Sequence, residues 1–213
     1  MSTSVDIAYA FLKERILKGT YRPSQKLTEV QLAEEIGVSR NTVIKALLKL
    51  EQENLVTIEK NKGATIKSFT LPEVLNYLDI RIVLEGLAIR SAVSHIGKGE
   101  IERLGEVLSR MKSSLENGQF DEYSKLNKDF HEILYEASLN QPAVDLIRMI
   151  KTQLGRLHLR TILIPGRNHD SYQEHEQICQ AVANRDEEAA AQAIMTHVQH
   201  IRAVIEANYN LLI

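Results

Sequence analysis

Residues Lys26 to Lys67 read KLTEVQLAEEIGVSRNTVIKALLKLEQENLVTIEKNKGATIK, and the reading of this stretch decides the fold. Leu32, Ala33 and Ile36 make one apolar stripe, while Val43, Ala46, Leu47 and Leu50 make the i, i+3, i+4, i+7 stripe of a second amphipathic helix. Only Gly37-Val38-Ser39 lies between them. Gly37 can take the positive φ that ends the first helix, and Ser39 can accept a hydrogen bond from the early amides of the second. After Leu50 the period changes to two short β-rich runs, Leu55–Ile58 and Ala64–Ile66, joined by the hairpin-like Glu59-Lys60-Asn61-Lys62-Gly63. The stretch therefore reads as a winged helix-turn-helix. In this motif the second helix enters the DNA major groove with its first residues at base edges and phosphates. Those residues are Arg40, suited to guanine or phosphate, Asn41, suited to adenine, and Thr42, suited to phosphate or a thymine methyl. With Val43 at the centre of the buried stripe, steps of about 100° per residue put Asn41, Lys45 and Lys49 on the open face. Ser39 and, in the wing, Lys62 and Gly63 complete the expected DNA-contacting set. The plain alternative is a capped surface helix with solvated lysines; the coincidence of turn, cap, stripe and hairpin favours DNA.

The chain has 213 residues, 44% of them hydrophobic, and a formal net charge of −2. That is enough for one large or two small globular domains. The charge is unevenly spread: residues 1–69 hold 11 Lys and Arg against 8 Asp and Glu, whereas residues 70–213 hold 15 against 20. A basic module precedes an acidic one. Cys179 is the single cysteine, which excludes an intrachain disulfide and a cysteine-based zinc site and fits a reducing cytoplasm. No signal-like amino terminus is present, and no apolar run approaches the roughly 20 residues needed to span a bilayer. A cytoplasmic protein with no membrane partner is expected.

Residues 4–18 predict a first helix with Ile7, Ala8, Phe11, Leu12 and Ile16 on one side. A winged helix-turn-helix domain over 1–68 and a linker over 69–72 follow. The remainder, 73–213, is read as an all-helical antiparallel bundle, because helical periods are broken only at Gly- and Pro-containing or Asn-containing turns. Six helices are predicted, over 73–95, 99–116, 119–139, 142–162, 169–183 and 186–209. The fold class is mainly α.

Seven histidines are present, and three lie on apolar stripes of predicted helices. His131 sits with Leu134 and Ser138, His175 with Ile178, Cys179 and Val182, and His197 with Ile194, Ile201 and Val204. Three inward imidazoles from three helices can meet in the bundle's centre. Asn127 is one turn before His131 and about 40° around the axis, whereas Asp129 is about 200° from Asn127 and unsuited to the same ion. A divalent transition metal, zinc first with nickel, cobalt or manganese as alternatives, suits three imidazoles and an amide. A single buried histidine is more often a hydrogen-bonded core residue. His95 stands at a helix end. His158, His169 and His200 read as surface or outlying positions, with His200 able to orient a neighbour.

VSRNTVIKALLKLEQENLV, the preceding LTEVQLAEEIG and the wing glycine resemble the GntR regulators. The helical remainder resembles the FCD effector domain of the FadR subfamily through R81-x-x-L-E85, N127-x-x-F-H131, A137-S-x-N140, E174-H175-x-x-I178 and His197. The resemblance implies a homodimer on a pseudopalindromic DNA operator, usually a repressor released by its effector. It also implies a divalent metal at Asn127, His131, His175 and His197, and a small carboxylate effector bound nearby. Arg81 matches the family's pocket arginine, although it also stands four residues before Glu85 as a helical ion pair would. Arg156 and Arg160 are further effector candidates or solvated charges, and Tyr135 either lines the cavity or fills the core. Two departures stand out: Val30 and Ile44 occupy places where the family commonly has arginine. Lys45 recovers some charge but lacks the arginine fork, and Ile44 and Leu48 serve as packing or as contacts to thymine methyls. The rival readings are a metal-dependent hydrolase using Glu174 or Glu176 as base, and a regulator that senses the metal itself.

Overall fold

The computed structural model describes residues 3–59, 62–161 and 164–212, without the side chains of Arg156, His158 and Leu159. The chain divides into two compact units, each with its own hydrophobic core.

The first unit contains α1 (Ser4–Leu17), β1 (Lys26–Leu27), α2 (Glu29–Ile36), α3 (Arg40–Gln52), β2 (Val56–Glu59) and β3 (Gly63–Ile66). Three side chains start its helices. Thr3 forms a capping box with Asp6, Thr28 accepts from the Gln31 amide, and Ser39 accepts from the Thr42 amide. Each satisfies amides that a helix start leaves without a partner, an effect of about 1 kcal/mol per cap. Gly37 ends α2 with φ 74°, the left-handed conformation that permits the tight turn into α3. Val43, Ala46, Leu47 and Leu50 are buried against Leu32 of α2 and against Ala8, Leu12 and Ile16 of α1. Ile7, expected on the α1 core face, is instead 55% exposed, because the buried residues follow the single line 8, 12, 16. The sheet has order β1-β3-β2, all antiparallel, with Thr57 opposite Thr65 and Lys26 opposite Thr65. The wing is thus three-stranded, β1 having gone unread in the sequence. Part of the predicted wing turn, Lys60 and Asn61, lies outside the described residues.

The second unit contains α4 (Leu71–His95), α5 (Lys98–Glu116), α6 (Phe120–Ala137), α7 (Gln141–Gln153), α8 (Gly155–Thr161), α9 (Arg167–Ala183) and α10 (Glu187–Leu212). The single helix expected over 142–162 is two, α7 and α8, separated at Leu154. α4 and α10 run antiparallel, tied by Arg202 to Asp79 at 2.7 Å near one end and Arg90 to Glu188 at 2.8 Å near the other. Ile89 and Val93 of α4, Leu104 and Met111 of α5, Phe130 of α6, Ile178 of α9 and Ile194 of α10 share one core. That core fixes the mutual position of α6, α9 and α10, the helices that carry the three histidines. No described helix is long and apolar enough to cross a membrane.

Candidate functional site

His131 on α6, His175 on α9 and His197 on α10 converge within the second unit, each with no more than 2% of its surface exposed. One ring nitrogen from each lies within 4.8 Å of the others. The Nε2 atoms of His131 and His175 are 3.3 Å apart, and ring centroids of the His175–His197 pair are separated by 4.7 Å. Two nitrogens bound tetrahedrally to zinc at 2.0–2.1 Å stand about 3.3 Å apart, so the observed spacing fits an ion between them.

The Nδ1 atoms of His175 and His197 are held by acceptors, and this sets their tautomers. The carbonyl of Ser171 can only accept, so His175 carries its proton on Nδ1. Glu174 Oε2 lies 2.6 Å from His197 Nδ1, so that nitrogen is also the donor, and Nε2 keeps a free lone pair. Glu174 is itself clamped by Arg167 at 2.8 and 3.1 Å and receives His200 Nδ1 at 2.8 Å. A carboxylate behind a ligating imidazole fixes its orientation and raises its basicity.

Some polar atoms of these residues are unsatisfied. Among the described residues five buried side-chain polar atoms have no hydrogen-bond partner, and three of them are Asn127 Oδ1, His131 Nδ1 and His197 Nε2. Buried polar atoms are ordinarily paired. Here the orphans gather on the residues whose donor set suits a divalent ion. Burial pushes all three imidazoles below their ordinary pKa, His175 to about 3, so at neutral pH each is a neutral ligand with a lone pair. Asp129 is exposed, as its position on α6 required.

A second polar cluster stands beside the first. Tyr135 stacks on His131 at 6.0 Å between centroids and donates to Glu85 Oε1 at 2.8 Å. Arg81 Nε donates to the same oxygen at 2.9 Å, and Lys151 Nζ donates to the Tyr135 hydroxyl at 3.3 Å. Arg81 and Tyr135 are thus brought together, with Arg81 also making the helical ion pair with Glu85. Burial and the nearby Arg81 lower the Lys151 ammonium to about 8. The space bounded by Glu85, Ala88, Ile89, Leu134, Tyr135 and Ile194 has no room for a water molecule. Arg160 donates to the carbonyl of Leu212 near the end of α10. The Arg156 side chain lies outside the described residues.

In the first unit Arg40, Asn41 and Lys45 are exposed and Thr42 partly so, at and beyond the N-terminus of α3. Arg40 lies 3.2 Å from Glu29, an exposed pair that contributes little and yields readily to phosphate. Three of the expected contact residues have intramolecular partners or neighbours as well. The Ser39 hydroxyl is committed to its cap. Lys49 reaches across to Asp6 of α1 at 2.8 Å, which holds the Asp6 carboxyl down at about 2. Gly63 is buried with φ 93°, and a Cβ there would come 2.1 Å from the Leu27 carbonyl oxygen. The close approach of β1 by itself requires a glycine there. Lys62 remains exposed on the wing, 3.7 Å from Glu59. Leu48 is 47% exposed and Val30 equally so, which leaves apolar groups on the surface where the helix ends present themselves.

The family model for bacterial regulatory proteins of the gntR family matches residues 5–66, and that for the FCD domain matches residues 76–200. The fold and sites define a winged-helix DNA reader joined to an all-helical FCD unit. The chain belongs to the GntR family of transcriptional regulators, with an FCD domain; it is a DNA-binding regulator and not an enzyme. It is 30% identical to the HTH-type transcriptional regulator YdhC of Bacillus subtilis over 90% of this chain and 86% of that protein. It is 26% identical to the HTH-type transcriptional repressor RspR of Escherichia coli over 91% and 85%. The solved structure of Escherichia coli McbR/YncC has the same fold, with a TM-score of 0.82 at 20% identity over 98% of this chain and all of that one. The hydrolase reading falls with this assignment, and Glu174, one candidate base, is occupied by Arg167, His197 and His200. The sequence reading missed Arg167 and Lys151 and named Glu174 only as one of two possible bases in the rival hydrolase reading.

Proposed function

We propose that this chain is a cytoplasmic, homodimeric repressor whose grip on a pseudopalindromic operator is released by a small organic acid at a metal centre. The observation that carries the metal is the cluster of three buried, neutral imidazoles, in which His131 Nδ1 and His197 Nε2 have no partner. Asn127, His131, His175 and His197 would hold the ion, zinc foremost or else nickel, cobalt or manganese. When bound, the ion supplies a positive charge that none of the four side chains offsets, and it coordinates an anionic ligand. The chain's own residues do the rest. Glu174 aims His197, Ser171 aims His175, and Arg81, Tyr135 and Lys151 add positive charge and donors behind His131. A carboxylate meets that field favourably, and it releases DNA if it binds the low-affinity state better. Arg40, Asn41, Thr42 and Lys45 would meet the operator.

The test is elemental analysis with gel shift on one preparation. Purified protein is expected to carry about one metal per chain, from the single cluster, and His175→Ala to lose it; equal metal in both rejects the site. Operator release by carboxylic acids is expected only from metal-loaded protein. The close packing beside Glu85 and Tyr135 favours a second reading, in which the ion is the signal. Operator affinity that follows free metal with no acid present would select it.

A further inference from the structure

The open side of α3 carries two parallel rows of side chains. With Val43 at the centre of the buried stripe, steps of about 100° per residue place Asn41, Lys45 and Lys49 at about 160°, 200° and 240°. Arg40, Ile44 and Leu48 fall at about 60°, 100° and 140°. The first row is polar and cationic throughout. The second is apolar after Arg40: Leu48 is 47% exposed and Ile44 half-buried, although Val43, Ala46, Leu47 and Leu50 already supply the core contact of this helix. The two rows border different neighbours. Lys49 binds Asp6 of α1, whereas Arg40 binds Glu29 at the start of α2. The apolar row therefore runs on the α2 side, where Val30, the residue after Glu29, is also 47% exposed. The exposed large apolar side chains described in the first unit are Ile7, Val30 and Leu48, and two of them belong to this strip.

The chemistry of the major groove identifies the occupant. Every base presents hydrogen-bonding groups there, and thymine alone presents an apolar one, its C5-methyl. Against phosphates or polar base edges, isoleucine and leucine displace water and return no hydrogen bond, which costs affinity. Against a thymine methyl the same side chains bury apolar surface, an effect of about 4-fold in affinity per methyl. We propose that Ile44 and Leu48, edged by Val30, read thymine. They close on C5-methyl groups while the row of Asn41 and Lys45 meets phosphates and polar base edges. Ile44 stands about 6 Å along the helix axis from Arg40, close to two base-pair steps of about 3.4 Å. The first methyl therefore lies within about two base pairs of the group that Arg40 contacts. Recognition along this row comes from apolar contact, whereas the neighbouring row supplies charge. The proposal rests on α3 being the helix that enters the groove.

Selection from a random duplex library with the full-length chain supplies the probe. The selected duplex is then resynthesised with deoxyuridine in place of each thymidine in turn, which removes the methyl and keeps the base-pair hydrogen bonds. Gel shift of the wild type is expected to show a loss of about 4-fold at one or more of these positions. Ile44→Ala is expected to bind the thymine and uracil duplexes equally at the position Ile44 covers, and Leu48→Ala at its own. Comparing the four combinations isolates the contact, because a general weakening by either change cancels. Ile44→Val, a smaller change at this half-buried position, keeps part of the discrimination and serves if Ile44→Ala does not fold. Uracil tolerated by the wild type at every position overturns thymine reading, as does discrimination undiminished in both alanine variants or a library that yields no preferred duplex. If Arg40→Ala still weakens the selected duplex, α3 remains in the groove and thymine reading alone has failed. A selected duplex bound equally by wild type, Arg40→Ala and Lys45→Ala overturns the placement of α3 and the thymine reading together.

Discussion

Helix α3 and the histidine cluster present their polar groups in opposite ways. On α3 the groups are exposed and drawn from one short stretch, Arg40 to Lys45, positioned by a local cap and a local turn. In the cluster they are buried, neutral and collected from α6, α9 and α10, across 66 residues of chain between His131 and His197. A polyanion in water, such as the proposed operator, asks only that cations stand free. The proposed metal site instead needs uncharged, buried imidazoles with lone pairs to spare. Local structure suffices for the one and tertiary packing is indispensable for the other.

The comparison breaks first on pH. The three imidazoles titrate below their ordinary range in the folded chain, so under about pH 6.5 the unfolded chain binds protons that the folded one refuses. Stability of the metal-free protein should therefore fall as pH drops from 7 to 5. The slope is about 1.4 kcal/mol per pH unit for each imidazole kept neutral, several kcal/mol in all. For His175 the loss continues toward its folded value of about 3. Denaturant melts of chelated protein at pH 7, 6 and 5 would show it, and a flat profile would mean the imidazoles are accessible to protons.

Glu174→Gln keeps the shape but removes the carboxylate behind His197, and metal affinity should drop about 10- to 100-fold. Competition with a chromogenic chelator measures this, and an unchanged affinity would reduce Glu174 to a structural partner of Arg167. On α3, Arg40→Ala should weaken operator binding by about 1–3 kcal/mol if its contact to a base is bidentate. The smallest effect is expected at Lys49, already tied to Asp6. Lys49→Ala should weaken the operator less than Lys45→Ala in the same gel shift, and a larger loss would show that Lys49 leaves Asp6 for DNA.

Much of the first unit was readable because each of its elements announces itself within a few residues. Ser39, Gly37 and the Val43 to Leu50 stripe all took their expected places. β1 did not, since two residues have no period to detect and gain strand geometry only from β3. Gly63 looked like a DNA-approaching wing glycine, but what it approaches is the backbone at Leu27, more than thirty residues earlier. The inward faces of His131, His175 and His197 followed from helical phase alone. Their tautomers did not, because these depend on Glu174 and on the Ser171 carbonyl.

The amino-acid sequence by itself determined a winged reader followed by helices, and which faces of those helices turn inward, because capping, turn chemistry and hydrophobic period act over one or two turns. Only the tertiary structure decided that Glu174 serves His197, that Lys49 serves Asp6, that Arg160 binds the Leu212 carbonyl, and that α4 carries an unburied second apolar face. Those outcomes depend on which helices become neighbours, and that is settled by packing the core as a whole.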